Sequence, residues 1–327
     1  MSRSFFLRLD RLRCCELHRF SIDNVGRAVI IDSRFMNIRY KDTGLSALEI
    51  SQDDRLRSNY IKEILCKPVE PNGSSTVPEV ENRVLVQFWD DPANIPADVQ
   101  GCMQSWEKLE AFGFVRVLFG DESARDFIRE NFTAQHVSAF DACLHPAMRA
   151  DYFRLCYILK LGGVYVDADD EYVGNSFEYF IRDGNLRVQA LCYDQVMSSM
   201  VAPTVAFDYS PNSIRTFYVN NNPLMANAGH PIVADALKCA TNELLGRGNE
   251  SRDIQSITGP GNLSAALVRH AVAIDRADER RDFEILMDWE RVAVSKWPLN
   301  YRNDGRNWRH WADGVDLPIA SEESKRE

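Results

Sequence analysis

The sequence predicts an α/β protein built on a mostly parallel sheet, on three observations. Short apolar runs of strand length, Val84 to Phe88 and Phe114 to Phe119, alternate with longer stretches of helical periodicity. A regular helical pattern leads directly into the compact apolar run Val164 to Val166. Behind that run stands the acidic stretch Asp167-Ala168-Asp169-Asp170-Glu171, and in open α/β sheets ligands collect at the carboxyl ends of strands.

From the start of the chain, Arg3, Arg8, Arg11 and Arg13 interrupt the apolar residues of Met1 to Cys15, so this segment lacks the continuous apolar core of a signal peptide. With Phe5, Phe6, Leu7, Leu9 and Leu12 it suits either an anionic membrane surface or a half-buried strand or helix. Ala28 to Ile31 is a short apolar run, and Leu56 to Leu65 fits a helix. Between Lys67 and Pro78 lie Pro68, Pro71, Asn72, Gly73, Ser74, Ser75 and Pro78, residues that favour turns. A boundary here divides a small strand-rich N-terminal appendage, residues 1–75, from a main domain, residues 81–315, with a polar tail at 316–327.

In the main domain Val84 to Phe88 is the first strand. Asp98 to Ala111 follows as a helix carrying Val99, Met103 and Trp106, stopped by Gly113, and Phe114 to Phe119 is the next strand. The clearest helix begins near His145, with Pro146 suited to its first turn and Met148, Tyr152, Leu155 and Leu159 along one stripe. Gly162 and Gly163 end it, and Val164 to Val166 is the strand that delivers the acidic run.

A formal net charge of -10 over 327 residues argues against a general nucleic-acid binder, which needs cations to replace phosphate counterions. A nucleotide is still compatible with it, because a metal ion and a few donors hold small phosphorylated ligands. The eight cysteines lack the paired spacing of a zinc or redox motif, which reads as reduced thiols in a cytosolic protein. No stretch is long and apolar enough to span a bilayer.

Four carboxylates in the five positions 167–171 repel one another unless solvent or a cation relieves them. Hard oxygen ligands suit Mg²⁺ or Mn²⁺, and a solvated acidic turn is the alternative. Side chains two apart in a strand point to opposite faces. A bend after Asp167 therefore lets one carboxylate meet sugar or ribose hydroxyls while the other holds a metal. On the preceding helix Asp151 and Arg154 are three apart, which gives either an ordinary ion pair or a donor and acceptor for sugar hydroxyls.

The stretch Arg149-Ala-Asp151-Tyr-Phe-Arg154, then Leu159, Gly162-Gly163-Val-Tyr165-Val-Asp167-Ala-Asp169, closely resembles the motif of glycosyltransferase family 32. The resemblance runs from about Val84 to Trp311. It takes in Gln87-Phe88-Trp89, whose Trp it sets on the nucleotide base; Asn222-Pro-Leu-Met225 with Gly229-His230-Pro231; Thr258-Gly259-Pro260; and His310-Trp311. Two departures stand out: Gly314-Val315 replaces the expected Ser-Trp of the closing motif, and the acidic Asp170 and Glu171 follow the second Asp.

The resemblance implies the A-type nucleotide-sugar transferase fold with a single Rossmann-like mixed sheet. It implies a reaction that retains the donor's anomeric configuration and uses Mn²⁺ or Mg²⁺. The catalytic set it implies is Asp151, Arg154, Asp167 and Asp169. The donor-binding set is Phe88, Trp89, Arg149, Asp151, Arg154, Tyr165, Asp167 and Asn222, and the metal ligands are Asp167, Asp169 and His310. The partners it implies are a nucleotide-sugar donor, a UDP-sugar first, and a saccharide, lipid-linked or protein acceptor. The setting is polysaccharide biosynthesis in the cytoplasm, with the inner membrane surface as a further location. A catalytically silent sugar- or partner-binding protein on the same fold is the alternative. A Mg²⁺-dependent phosphoryl-transfer enzyme ranks lower, for want of a phosphate-cradling Gly-rich loop.

Overall fold

The computed structural model of the chain describes residues 20–22, 28–30, 45–66, 82–174, 184–207, 214–246, 253–314 and 317–319. Its elements begin with an antiparallel pair, β1 (Phe20–Ile22) and β2 (Ala28–Ile30), and two helices, α1 (Ala47–Gln52) and α2 (Asp54–Cys66). The main domain starts with β3 (Val84–Phe88), α3 (Ala97–Ser105), β4 (Val115–Phe119), α4 (Asp121–Asn131), α5 (Ala134–Asp141), α6 (Pro146–Leu161) and β5 (Gly163–Tyr165). After the acidic turn come β6 (Asp170–Tyr172), β7 (Leu186–Asp194), β8 (Ser199–Val201), β9 (Arg215–Ala226), α7 (Pro231–Gly246), α8 (Ile254–Ile257), α9 (Pro260–Ala277), β10 (Phe283–Leu286), β11 (Ala293–Ser295) and α10 (Trp308–Ala312).

One mixed sheet runs in the order β10-β7-β9-β5-β3-β4, with β8 beside β7. The pairs β3/β4, β3/β5 and β7/β10 are parallel, as the alternation of strands and helices leads one to expect. Strand β9 enters antiparallel between β5 and β7, which makes the sheet mixed. A second, two-stranded sheet pairs β6 with β11 and sets Ser295 opposite Asp170.

Helix α6 follows the sequence reading closely. His145 Nδ1 accepts from the Ala147 amide as the cap, Pro146 opens the first turn, and nine residues from Met148 to Ile158 are buried. The helix then turns into β5 through Gly162 (φ 69°) and Gly163 (φ 109°). A Cβ on Gly162 would stand 2.8 Å from the Ala228 amide nitrogen, and one on Gly163 2.8 Å from the Val84 carbonyl oxygen, so only glycine lets the backbones close here. The helix expected over Asp98 to Ala111 is shorter. It ends at Ser105 and tightens into a 3₁₀ turn to Phe112, because the fully buried Trp106 indole donates to the Asp170 carbonyl at 2.8 Å.

The strand-rich appendage over 1–75 is corrected for residues 45–66, which are helical and part of the main core. Ile50, Tyr60 and Ile61 are buried in the same apolar cluster as β9 and α9. The Tyr60 hydroxyl donates to Asp275 at 2.7 Å, and the Ser58 hydroxyl accepts from the Phe217 amide at 2.9 Å. The apolar spacing of α2 supplied a face for the sheet rather than a separate fold. The boundary stretch 67–78 and the polar tail lie outside the described residues, except for 317–319. The six cysteines among the described residues are free thiols, and four of them are buried. No helix among the described residues is long and apolar enough to cross a membrane.

Candidate active site

The site is built on the turn that follows β5. The Val166 amide still pairs with Val86, but the Asp170 amide then donates to the Asp167 carbonyl at 3.2 Å and closes a turn before β6 begins. The expected bend after Asp167 is present, and it brings both Asp167 and Asp169 to one cleft while Asp170 is buried beneath. Asn222 on β9 braces this turn from below. Its Oδ1 accepts from the Asp167 amide at 3.1 Å and its Nδ2 donates to Asp170 at 2.9 Å.

Helix α6 forms one wall. Arg154 donates from Nη1 to the Asn221 carbonyl at 2.9 Å and from Nη2 to Asp167 Oδ1 at 2.9 Å, and Nη2 also stands 3.0 Å from Asp151 Oδ1. Its guanidinium lies 4.3 Å from the Tyr165 ring centre. Asp151 is completed by Asn221 Nδ2 at 2.7 Å and the Thr258 hydroxyl at 3.3 Å. Burial opposes the charge on Arg154, yet Asp167 and Asp151 hold its pKa above the ordinary value. Burial pushes the Asp151 carboxyl up against the pull of Arg154. Asp167 is pushed up to about 6 by burial, with Arg154 lowering it and the nearby Asp169 charge raising it.

The opposite wall comes from the C-terminal segment. Asp169 Oδ2 accepts from the Tyr301 hydroxyl at 2.7 Å and from Arg302 Nη2. The Arg302 guanidinium lies 3.6 Å from the centre of the exposed Trp297 ring. Arg306 pairs with Asp304 and stands 5.4 Å from the Trp89 ring centre. Arg309 rests on Trp308 at 4.6 Å and Trp297 at 5.2 Å, and burial together with the Arg302 charge lowers its pKa. His145 ties the two walls: Nδ1 accepts from Ala147, so Nε2 carries the proton and donates to the Gly305 carbonyl at 3.0 Å.

Between the walls lies a cleft of about 540 Å³, within the range of small-ligand sites. Of the residues expected from sequence, Phe88, Trp89, Asp151, Arg154, Tyr165, Asp167, Asp169 and Asn222 line it. Arg149 does not. It sits on the other side of α6, where Nε donates to Asp121 at 2.7 Å, because residues two apart on a helix, as Arg149 and Asp151 are, do not share a face. His310 does not line the cleft either, whereas its neighbours Trp308 and Arg309 do. Tyr301, Arg302, Arg309 and Trp297 were missed, although Arg302, Arg306 and Arg309 form a basic cluster in an acidic chain. Three buried polar atoms of lining residues, Trp89 Nε1, Asp170 Oδ1 and Arg302 Nε, meet no partner among the described residues. Such atoms are exceptions in folded proteins, and their collection in one cleft points to a polar ligand.

The donor set fits a hard divalent cation of one kind only. Among the described residues no group of three His, Cys, Asp or Glu side chains is placed to hold a metal alone. Asp167 and Asp169 supply two carboxylates, with the unpartnered Asp170 oxygen beneath. That suits an ion taking its other ligands from phosphates and water, not one held in a closed protein cage.

Residues 96–183 match the family model described as a glycosyltransferase sugar-binding region containing a DXD motif, and the span includes Asp167 and Asp169. An uncharacterised glycosyltransferase of Acanthamoeba polyphaga mimivirus is 23% identical over 93 residues, 28% of this chain. The matched part is 36% of that relative's length. Among solved structures, the PaToxG glycosyltransferase aligns over 85% of this chain and 89% of its own, at 13% identity and a TM-score of 0.41. The acid turn at the end of β5 lies inside this matched region, and Asp167-Ala168-Asp169 is its Asp-X-Asp.

Proposed function

We propose that the protein is a retaining hexosyltransferase that takes its sugar from a nucleotide donor, a UDP-sugar first. The observation that supports this most is the cleft at the carboxyl end of β5, where Asp167 and Asp169 face a wall of arginines and indoles. Trp89 is a buried indole, 7% exposed, in the lining of the cleft, and it would take the base. Arg154 occupies only Oδ1 of Asp167, whose side chain is 34% exposed, which leaves Oδ2 for a donor hydroxyl. Asp151, Asn221 and Thr258 act one layer back by fixing Arg154.

Asp167 and Asp169 would hold Mn²⁺ or Mg²⁺. The bound cation would neutralise charge on the departing diphosphate as a Lewis acid. The acceptor is a saccharide, lipid-linked or protein hydroxyl, and the setting is polysaccharide assembly in the cytoplasm or at the inner membrane surface. These finer statements rest on the family resemblance.

The test is a screen of nucleotide sugars with Mn²⁺, reading release of free sugar and nucleoside diphosphate, with the anomer of the product followed by NMR. Turnover of a UDP-sugar with retention is the expected result. A protein that binds a donor and releases nothing, with or without saccharide acceptors, is instead a silent binding protein on this fold. The contact of Asp169 with Arg302 gives that alternative its one structural argument.

A further inference from the structure

Asp169 is already occupied. Its Oδ2 accepts from the Tyr301 hydroxyl and from Arg302 Nη2, so a cation arriving at that carboxylate meets another cation in place. Arg302 is 8% exposed and carries a buried Nε without an acceptor among the described residues. A buried donor in that state is costly unless a ligand completes it. Beside it, Arg309 forms no ion pair among the described residues and lies on the faces of Trp297 and Trp308. Arg306 is different, because Asp304 already satisfies it. The wall thus presents two guanidiniums with Asp169 as the carboxylate they have nearest the acid turn.

We propose that Arg302 is a diphosphate-binding residue held in reserve by Asp169. In the structure it is the counter-charge of Asp169. When a divalent cation takes that carboxylate, the guanidinium turns with Arg309 to the phosphate oxygens of the nucleoside diphosphate. This rests on reading the cleft as a nucleotide-sugar site. The exchange keeps the Asp169 charge compensated throughout, and the planar fork of arginine matches two phosphate oxygens where a lysine offers a point charge. Because the cation frees Arg302 for the diphosphate, and the diphosphate draws Arg302 off Asp169, each ligand strengthens the other by the same factor.

The experiment uses the full chain and two calorimetric titrations, Mn²⁺ alone and inorganic pyrophosphate at saturating Mn²⁺. Arg302→Gln should tighten Mn²⁺ alone about tenfold and weaken pyrophosphate about tenfold, each the size of one lost charge-assisted contact. Arg302→Lys should leave Mn²⁺ affinity near that of the unaltered protein and still weaken pyrophosphate. Arg309→Gln should weaken pyrophosphate and leave Mn²⁺ unchanged. Unchanged or weaker Mn²⁺ binding in Arg302→Gln, while Asp169→Asn abolishes it, overturns the proposal and leaves the functional reading standing. Unaltered Mn²⁺ affinity in Asp169→Asn removes the metal from this carboxylate and overturns the proposal, while the functional reading is tested separately by the donor-turnover screen. Should Arg302→Gln fail to fold, undiminished pyrophosphate binding in both Arg302→Lys and Arg309→Gln overturns the proposal.

Discussion

Two arginines meet the two aspartates of the acid turn, and they do so in different ways. Arg154 comes from the middle of a long buried helix, and its guanidinium reaches Asp151, Asp167 and two backbone carbonyls, on α6 and β9. Arg302 comes from a short 3₁₀ turn near the chain's end, pairs with Asp169, lies on an exposed indole and has no acceptor for Nε among the described residues. The first arrangement is a satisfied network, which fixes one geometry because any change leaves a buried charge alone. The second has partners to exchange. On the transferase reading proposed above, the fixed wall would orient the donor and the other would respond when the diphosphate arrives.

The sharpest way to break the comparison is Arg154→Leu. It strands Asp151 and Asp167 without a counter-charge, and we expect a loss of about 3–5 kcal/mol in denaturant unfolding along with loss of turnover. A loss under 1 kcal/mol would show that the α6 wall is not the fixed one. Asp169→Asn acts on the other wall. We expect turnover to fall roughly 10²–10³-fold, with unfolding close to that of the unaltered protein, since shape and hydrogen-bond capacity persist there. Near-normal turnover would transfer the cation to Asp170 or Glu171.

Trp89 lies between the walls, edge-on to Tyr301 at 5.3 Å. Trp89→Ala should weaken donor binding by about 1–3 kcal/mol if the indole takes the base. Lost thermal stability at unchanged donor affinity, measured by calorimetry and thermal unfolding, would make it a packing residue only. The smallest effect is expected at Arg149, on α6 but outside the cleft. Arg149→Gln should cost at most about 1 kcal/mol of stability, as expected for a partly exposed pair with Asp121, and leave donor affinity within twofold. A larger loss of donor affinity would return Arg149 to the site.

Much of this was legible before any fold was known, for identifiable reasons. Pro146 at a first turn, an apolar stripe through Leu159 and a Gly162-Gly163 stop are local signals, so α6 and the strand after it came out nearly residue for residue. Asp167 and Asp169 followed, because a strand's carboxyl end in an α/β sheet is a position that chain order alone defines. Residues 45–66 show the opposite case. A helix was readable at Leu56 to Leu65, but nothing local says which sheet face it will cover, and the proline-rich stretch behind it suggested a separation that the buried Ile61 contradicts.

The sequence by itself determined the α/β class, the principal helix and the acid turn, all of which depend on neighbours within a few positions. Only the tertiary structure decided that β9 runs antiparallel into the sheet and that Asn222 braces the turn. It also decided that Arg149 and His310 lie outside the cleft, and that Tyr301 and Arg302, 132 and 133 positions away in the chain, close on Asp169. The physical reason is the range of the forces involved. Periodicity and capping act through a turn or two of backbone, whereas the partner of a buried charge is chosen by the packing of whole elements, and no local pattern records that choice.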